Sequence, residues 1–190
     1  MSTPNNIPEI KNKRRKIILL TGISGSGKTT LGLALKKRLN RENNKKVQLI
    51  DGDLVRDFFE QKFRYSREDR DLVTKQIAFS AYLLVENGVD VIVANIAGSY
   101  SIRDFLRRKW KQYIQVYLDA DVNDCISNDS KGIYKKHLQL KNPQLLGVDI
   151  PYERPRKPDV IVYPYKENVE ASVERIISYL NSKSEQLTHV

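Results

Sequence analysis

Ile17-Ile18-Leu19-Leu20-Thr21-Gly22-Ile23-Ser24-Gly25-Ser26-Gly27-Lys28-Thr29-Thr30 runs from an apolar strand through a glycine-rich turn into a helical pattern. Gly22 to Thr29 follows the spacing G-x-x-x-x-G-K-S/T. Its glycines allow backbone conformations that aim successive N–H groups at phosphate oxygens, and the helix that follows adds its positive N-terminus. Lys28 is expected to reach the β- and γ-phosphates, and Thr29 to place its hydroxyl on Mg²⁺. Gly22, Ser24, Gly25, Ser26, Gly27 and Thr30 complete the cradle. A strand before the motif and a helix carrying Leu31, Leu35 and Leu39 after it supply the context it needs. The stretch reads as a nucleoside triphosphate site, with ATP and Mg²⁺ as cofactors.

Outward from this point, strands alternate with helices. Val47 to Ile50 reads as a second strand, ending at Asp51-Gly52-Asp53. Ser66-Arg67-Glu68-Asp69 resembles a capping-box start, after which Val73, Ile77, Ala81 and Leu84 mark one helix face up to a stop at Gly88. A strand over 89–94, a helix over 102–110, a strand over 114–118, a short helix near Cys125, a strand over 160–162 and a helix from about Glu167 to Leu180 follow. That alternation implies an α/β fold, a parallel sheet covered by helices on both faces. Residues 16–182 are expected to form one domain, between a disordered basic leader at 1–15 and a flexible tail at 183–190. Residues 129–157 have weak periodicity and many Lys, Gly and Pro, and a stretch that long in a compact domain suggests a lid.

Composition narrows the classes further. The chain has 190 residues, 40% of them hydrophobic, with 33 Lys and Arg against 23 Asp and Glu, a net charge of +10. Enough apolar surface exists to exclude a disordered chain, and no apolar run is long enough to span a membrane. The polar start, with Pro4 and Pro8, predicts no signal peptide. Lone Cys125 excludes an internal disulfide or a multi-cysteine zinc site, reads as a small buried hydrophobe, and suits a cytoplasmic location. The basic excess favours acidic small molecules, and its interspersion with acids argues against a nucleic-acid partner.

A guanine-reading Asn-Lys-x-Asp is missing: the nearest stretch, Asn44-Lys45-Lys46-Val47, lacks the Asp and precedes the second strand. The strand over 89–94 ends in Asn95 rather than in the acid of an ATPase motor. Small size, a basic lid and acids after strand two favour a small-molecule kinase. Three further segments then carry a family resemblance. Asp51-Gly52-Asp53-Leu54-Val55-Arg56 looks like D-G-D-N-I/V-R, and Tyr65-Ser66-Arg67-Glu68-Asp69-Arg70 resembles F-S-x-x-D-R. Asp129 to Lys136, followed by Gly147 to Glu153, is similar to D-P-K-G-L-Y-K-K and then T-G-I-x-x-P-Y-E. These are motifs of adenylylsulfate kinase, the family that phosphorylates the ribose 3′-hydroxyl of adenylylsulfate. The resemblance implies a P-loop kinase fold with strand order 2-3-1-4-5, MgATP as donor, and commonly a homodimer.

Roles follow from chemistry and from the matching motif positions. A ribose hydroxyl is a poor nucleophile, so Asp53 is expected to orient it or accept its proton, and Asp51 to support Mg²⁺ through water. Both acids also suit a turn that caps a helix. Arg56 and Arg70 are expected on the acceptor's phosphate or sulfate oxygens, with surface ion pairs as the plainer reading. Lys131 would meet charge on the transferred phosphoryl group, with Lys135 and Lys136 at the rim. Tyr65 offers a face for stacking a base, or is an ordinary half-buried tyrosine, and His137 reads as a solvated lid residue.

Departures from the family gather on the acceptor side. An Asn becomes Leu54, another acceptor-binding Asn becomes Val73, and S-F-I-S-P-Y becomes Ala94-Asn95-Ile96-Ala97-Gly98-Ser99. In the lid, a closing aromatic corresponds to Leu145 and a nearby Lys to Pro143, while the Arg before the lid Asp is Asn128. Val73, Ile96, Ala97 and Leu145 therefore join the expected acceptor contacts. Losing polar contacts and a stacking ring should lower affinity for adenylylsulfate. Two acceptors remain open: adenylylsulfate, or another nucleotide conjugate such as the cytidine diphosphoramidate of capsular polysaccharide phosphoramidate synthesis, phosphorylated by a kinase related to this family. A non-catalytic nucleotide- or RNA-binding protein is the reading from another class.

Overall fold

A computed structural model describes residues 15–43, 46–60, 66–110, 112–139 and 144–188. Five parallel strands, β1 (Ile17–Thr21), β2 (Val47–Asp51), β3 (Asp90–Ala94), β4 (Tyr113–Leu118) and β5 (Val160–Val162), form one sheet in the order β2-β3-β1-β4-β5. This is the P-loop kinase order the resemblance implies. β1 sits at the centre, with Leu19 opposite Val93 on one side and Gln115 on the other. Successive side chains of a strand point to opposite faces, so β1 feeds two cores. Ile18 and Leu20 pack with Leu31, Leu35 and Leu39 of α1 (Lys28–Asn43) and with Ile176 and Leu180 of α7 (Val169–Thr188). Ile17 and Leu19 pack with Val73, Ile77 and Ala81 of α3 (Arg67–Glu86) and with Ile102 and Leu106 of α4 (Tyr100–Lys109).

Local chemistry sets the element ends. Ser66 Oγ accepts the N–H of Asp69 at 3.1 Å, capping α3, and Gly88 leaves the helix at φ +80°. The α3 core stripe continues to fully buried Val85, while Leu84 is half-buried at its edge. Asp51-Gly52-Asp53 reads as a turn, yet it opens a seven-residue helix, α2 (Gly52–Phe58), whose cap is Asp51 Oδ1 accepting the Asp53 N–H at 2.8 Å. α5 (Val122–Ser127) buries Cys125. Within the lid stretch lies α6 (Ile133–His137), entered through Gly132 at φ +64°.

Two expectations need correction. α7, expected to end near Leu180, continues to Thr188, because no Gly or Pro interrupts it. Ser184 there also accepts a hydrogen bond from Lys16 Nζ at 3.0 Å. His137 is buried, 8% exposed, and its Nε2 lies 3.2 Å from Asp149 Oδ2, because α6 folds against the returning loop instead of standing in solvent. The leader through residue 14 and Tyr65 lie outside the described residues, and no described helix is long and apolar enough to cross a membrane.

Candidate active site

Ligands of open α/β sheets bind beyond the carboxyl ends of the strands, and the expected residues gather there. The phosphate loop leaves β1 with Gly25 at φ +77° and Gly27 at φ +84°, a region in which a Cβ is strained. Gly22 is required for a different reason: a Cβ there would stand 2.8 Å from the carbonyl oxygen of Leu118. Ser26 is buried, and Thr30 is exposed on the first turn of α1. Lys28 Nζ donates to the carbonyls of Gly22 at 3.0 Å and Ile23 at 2.6 Å. Burial lowers its pKa to about 8, against the opposing pull of the Asp53 and Asp51 charges.

Thr29 Oγ1 donates to Asp51 Oδ2 at 2.6 Å. Asp51 therefore caps α2 with one oxygen and holds Thr29 with the other. A hydroxyl beside a carboxylate suits Mg²⁺, a hard cation that keeps several waters. No cluster of three or more His, Cys, Asp or Glu able to hold a metal exists among the described residues. The Thr29–Asp51 pair fits a metal held by Thr29, substrate phosphates and water, with Asp51 behind them.

Asp53, exposed on the first turn of α2, accepts from Lys131 Nζ at 2.8 Å. This hydrogen bond raises the pKa of Lys131, which keeps its ammonium charged. Two residues 78 apart in sequence thus meet at the mouth of the phosphate loop. Arg56 lies half-buried on α2, and Arg70 of α3 donates to the main-chain carbonyl of Gln144 in the lid.

Other acceptor candidates are placed differently. Val73 is 1% exposed in the core, because α3 turns it toward β1, so it offers no surface to an acceptor. Leu145 is half-buried and packs beside Ile23, Ala120, Cys125 and Tyr134, on the phosphate-loop side. Ile96 is half-buried, with its carbonyl accepting from Thr21 Oγ1. Ala97 is buried at φ +42°, and its carbonyl accepts from Arg103 Nη1 at 2.6 Å.

Several residues escaped the sequence reading. Asn95 Nδ2 donates to Thr74 Oγ1 at 2.7 Å, tying the loop after β3 to α3. Tyr152 pairs with Thr21 through hydroxyls 2.9 Å apart, and buried Arg103 also donates to the carbonyl of Glu153. Tyr134 and Tyr165 donate to carbonyls of the phosphate loop. Tyr165 follows β5 at the same end of the sheet, which was the available signal for it.

A strand–loop–helix phosphate cradle, a carboxylate–lysine pair at its mouth and a basic lid define a P-loop phosphotransferase. The sequence profile of the adenylylsulphate kinase family matches residues 14–163. The chain belongs to that family, and it is an ATP-dependent kinase. It is 37% identical over 161 residues to a probable adenylyl-sulfate kinase of Pseudomonas aeruginosa, covering 85% of this chain and 75% of that one. It is 39% identical over 159 residues to the adenylyl-sulfate kinase of Rippkaea orientalis, covering 84% and 87%. Among solved structures, the APS kinase of Mycobacterium tuberculosis in complex with AMPPNP and APS superposes with a TM-score of 0.81 at 28% identity, over 92% of this chain and 99% of that one.

Proposed function

We propose that this kinase transfers the γ-phosphoryl group of MgATP to the ribose 3′-hydroxyl of adenylylsulfate. The observation that carries the reading is the Asp53–Lys131 pair, 2.8 Å apart beside the phosphate loop of a chain in this family. The loop N–H groups and Lys28 hold the donor phosphates, and Thr29, backed by Asp51, holds Mg²⁺. The ion, when bound, neutralises charge on the phosphates. Asp53 orients the acceptor hydroxyl and receives its proton as attack proceeds. Lys131 exchanges the Asp53 carboxylate for oxygens of the moving phosphoryl group. Arg56 and Arg70 hold the acceptor's anionic group, a task suited to planar donor forks. The chain is read as lying in the cytoplasm, a reducing compartment that suits the free Cys125.

A second acceptor, a pyrimidine conjugate such as cytidine diphosphoramidate, is favoured by one feature. Where the family carries an acceptor-binding Asn and a closing aromatic, Val73 is in the core and Leu145 packs toward Ile23. A smaller base needs less stacking area. Measuring kcat/KM for both acceptors at saturating MgATP decides between them. Efficient turnover of adenylylsulfate with no use of the cytidine conjugate supports the first reading, and the reverse pattern replaces it.

The chain is further read as a homodimer through the outer face of α2 and α3. Leu54, Phe58 and Phe59 of the α2 region and Leu72, Phe79 and Leu83 of α3 are exposed, Phe58 at 79%. Leu54, Phe58, Phe59 and Phe79 line a groove of about 620 Å³. Together the exposed side chains of this face amount to roughly 500–700 Å², near the ~800 Å² per partner of a standard interface and at the upper end of the apolar patches that monomers leave open. A second copy, offering the same apolar stripe across a two-fold axis, is the occupant that fits.

A further inference from the structure

Four successive carbonyls in the first half of the phosphate loop accept hydrogen bonds from side chains. Lys28 Nζ serves Gly22 and Ile23. The Tyr134 hydroxyl donates to the Ser24 carbonyl at 2.8 Å, and the Tyr165 hydroxyl to the Gly25 carbonyl at 2.6 Å. The two tyrosines arrive from separate elements: Tyr134 from α6 in the lid, Tyr165 from the turn after β5. Tyr165 holds φ at +70°, a costly conformation for a residue with a Cβ, and strain of this kind gathers at functional sites. Beneath the loop, a Cβ on Gly25 would meet Cys125 Cβ at 3.2 Å and the Tyr134 ring at 3.3 Å.

We propose that Tyr134 and Tyr165 are positioning residues that set the direction of the phosphate-loop N–H groups. The proposal rests on the reading of this loop as the ATP site. In a planar trans peptide, the C=O of one residue and the N–H of the next point in opposite directions. A hydrogen bond to the Ser24 carbonyl therefore fixes where the Gly25 N–H points, and one to the Gly25 carbonyl does the same for Ser26. Gly25, which flanks both peptides, would otherwise let them rotate and turn carbonyl oxygens toward the phosphates. Lys28 cannot do this work, because reaching a phosphate takes its ammonium away from the Gly22 and Ile23 carbonyls. The tyrosines face no such conflict. Burial raises both phenols above the ordinary tyrosine value, so each stays an O–H donor at neutral pH. Because Tyr134 sits in the lid helix, the position of the lid and the geometry of the loop are coupled through one hydrogen bond.

Tyr165→Phe, Tyr134→Phe and the double variant of the full chain test this, since Phe keeps the ring and removes only the donor. Calorimetry of ADP binding to the unmodified chain checks the ATP-site reading itself, and failure of that chain to bind ADP would overturn both. With wild-type binding established, each single variant should weaken ADP by about three- to tenfold, the effect of losing one hydrogen bond, and the double variant by more. The KM for ATP should rise alongside, with the acceptor KM unchanged. ADP affinity within twofold of wild type in both single variants overturns the proposal. So does an equal loss in ADP affinity and acceptor KM accompanied by a lower midpoint, which marks general loosening.

Discussion

Lys28 shows how burial and function act on one ammonium group. Held against two carbonyls, it titrates near pH 8 in the folded chain, whereas phosphates beside it favour the charged form. Nucleotide binding above pH 8 should therefore take up a proton, and affinity should fall as pH rises past that point. Titrating ADP at pH 8.5 in two buffers of different ionisation enthalpy measures the uptake directly, and a value of zero would contradict it. The same shift bears on folding. Between pH 8 and the ordinary lysine pKa of 10.5 the unfolded chain binds the extra proton, so this group's contribution to stability rises with pH in that window. At Asp53, replacement by Asn keeps a hydrogen-bonding group and removes the proton acceptor. The kcat of Asp53→Asn should drop about 10²-fold, the low end for general-base catalysis because the proton leaves late in a loose phosphoryl transfer, with a smaller change in acceptor KM. Steady-state kinetics check this, and near-wild-type turnover would leave Asp53 with only its place at the start of α2.

At the scale of elements, the stretch expected as a lid, residues 129–157, is two differently anchored pieces. Its first part, through α6, meets the phosphate loop by Tyr134 and Asp53 by Lys131. Its second part joins the loop after β3, where the Glu153 N–H donates to the Gly98 carbonyl at 3.1 Å and Arg103 reaches the Glu153 carbonyl. Gly147, at φ +93°, lies so close to Ile23 that a Cβ would stand 2.8 Å from its side chain. The His137–Asp149 contact spans the two parts. Basic side chains on this segment repel one another until phosphates arrive, so amide exchange over residues 129–157 should slow when an ATP analogue and acceptor bind together. Exchange unchanged by the pair of ligands would count against a lid. His137 looked solvated in the sequence because α6 is short and its neighbours are Lys135 and Lys136; only the returning loop, twelve residues on, covers it.

Taken as a whole molecule, the apolar face of α2 and α3 predicts an assembly. Sedimentation should give about twice the 22.0 kDa chain mass, and Phe58→Ser with Phe79→Glu should move it toward a single chain without unfolding the sheet, since both residues are exposed. A wild-type chain sedimenting at its own mass would refute the dimer. That face also shows where periodicity stops informing. Val73, Ile77 and Ala81 could be assigned to the core from spacing, but Phe79 and Leu83 are equally apolar and lie outside it. The sequence by itself determined the α/β class, the strand positions, the phosphate loop and its lysine, because these depend on short-range patterns: apolar runs, glycine spacing and helix caps. Family motifs added the strand order. Tertiary structure alone decided that Lys131 meets Asp53 across 78 residues, that His137 is buried, and that two tyrosines from distant elements hold the phosphate loop. Each of these is a long-range contact made by side chains of common types, so only the packing of the sheet and of residues 129–157 could single them out.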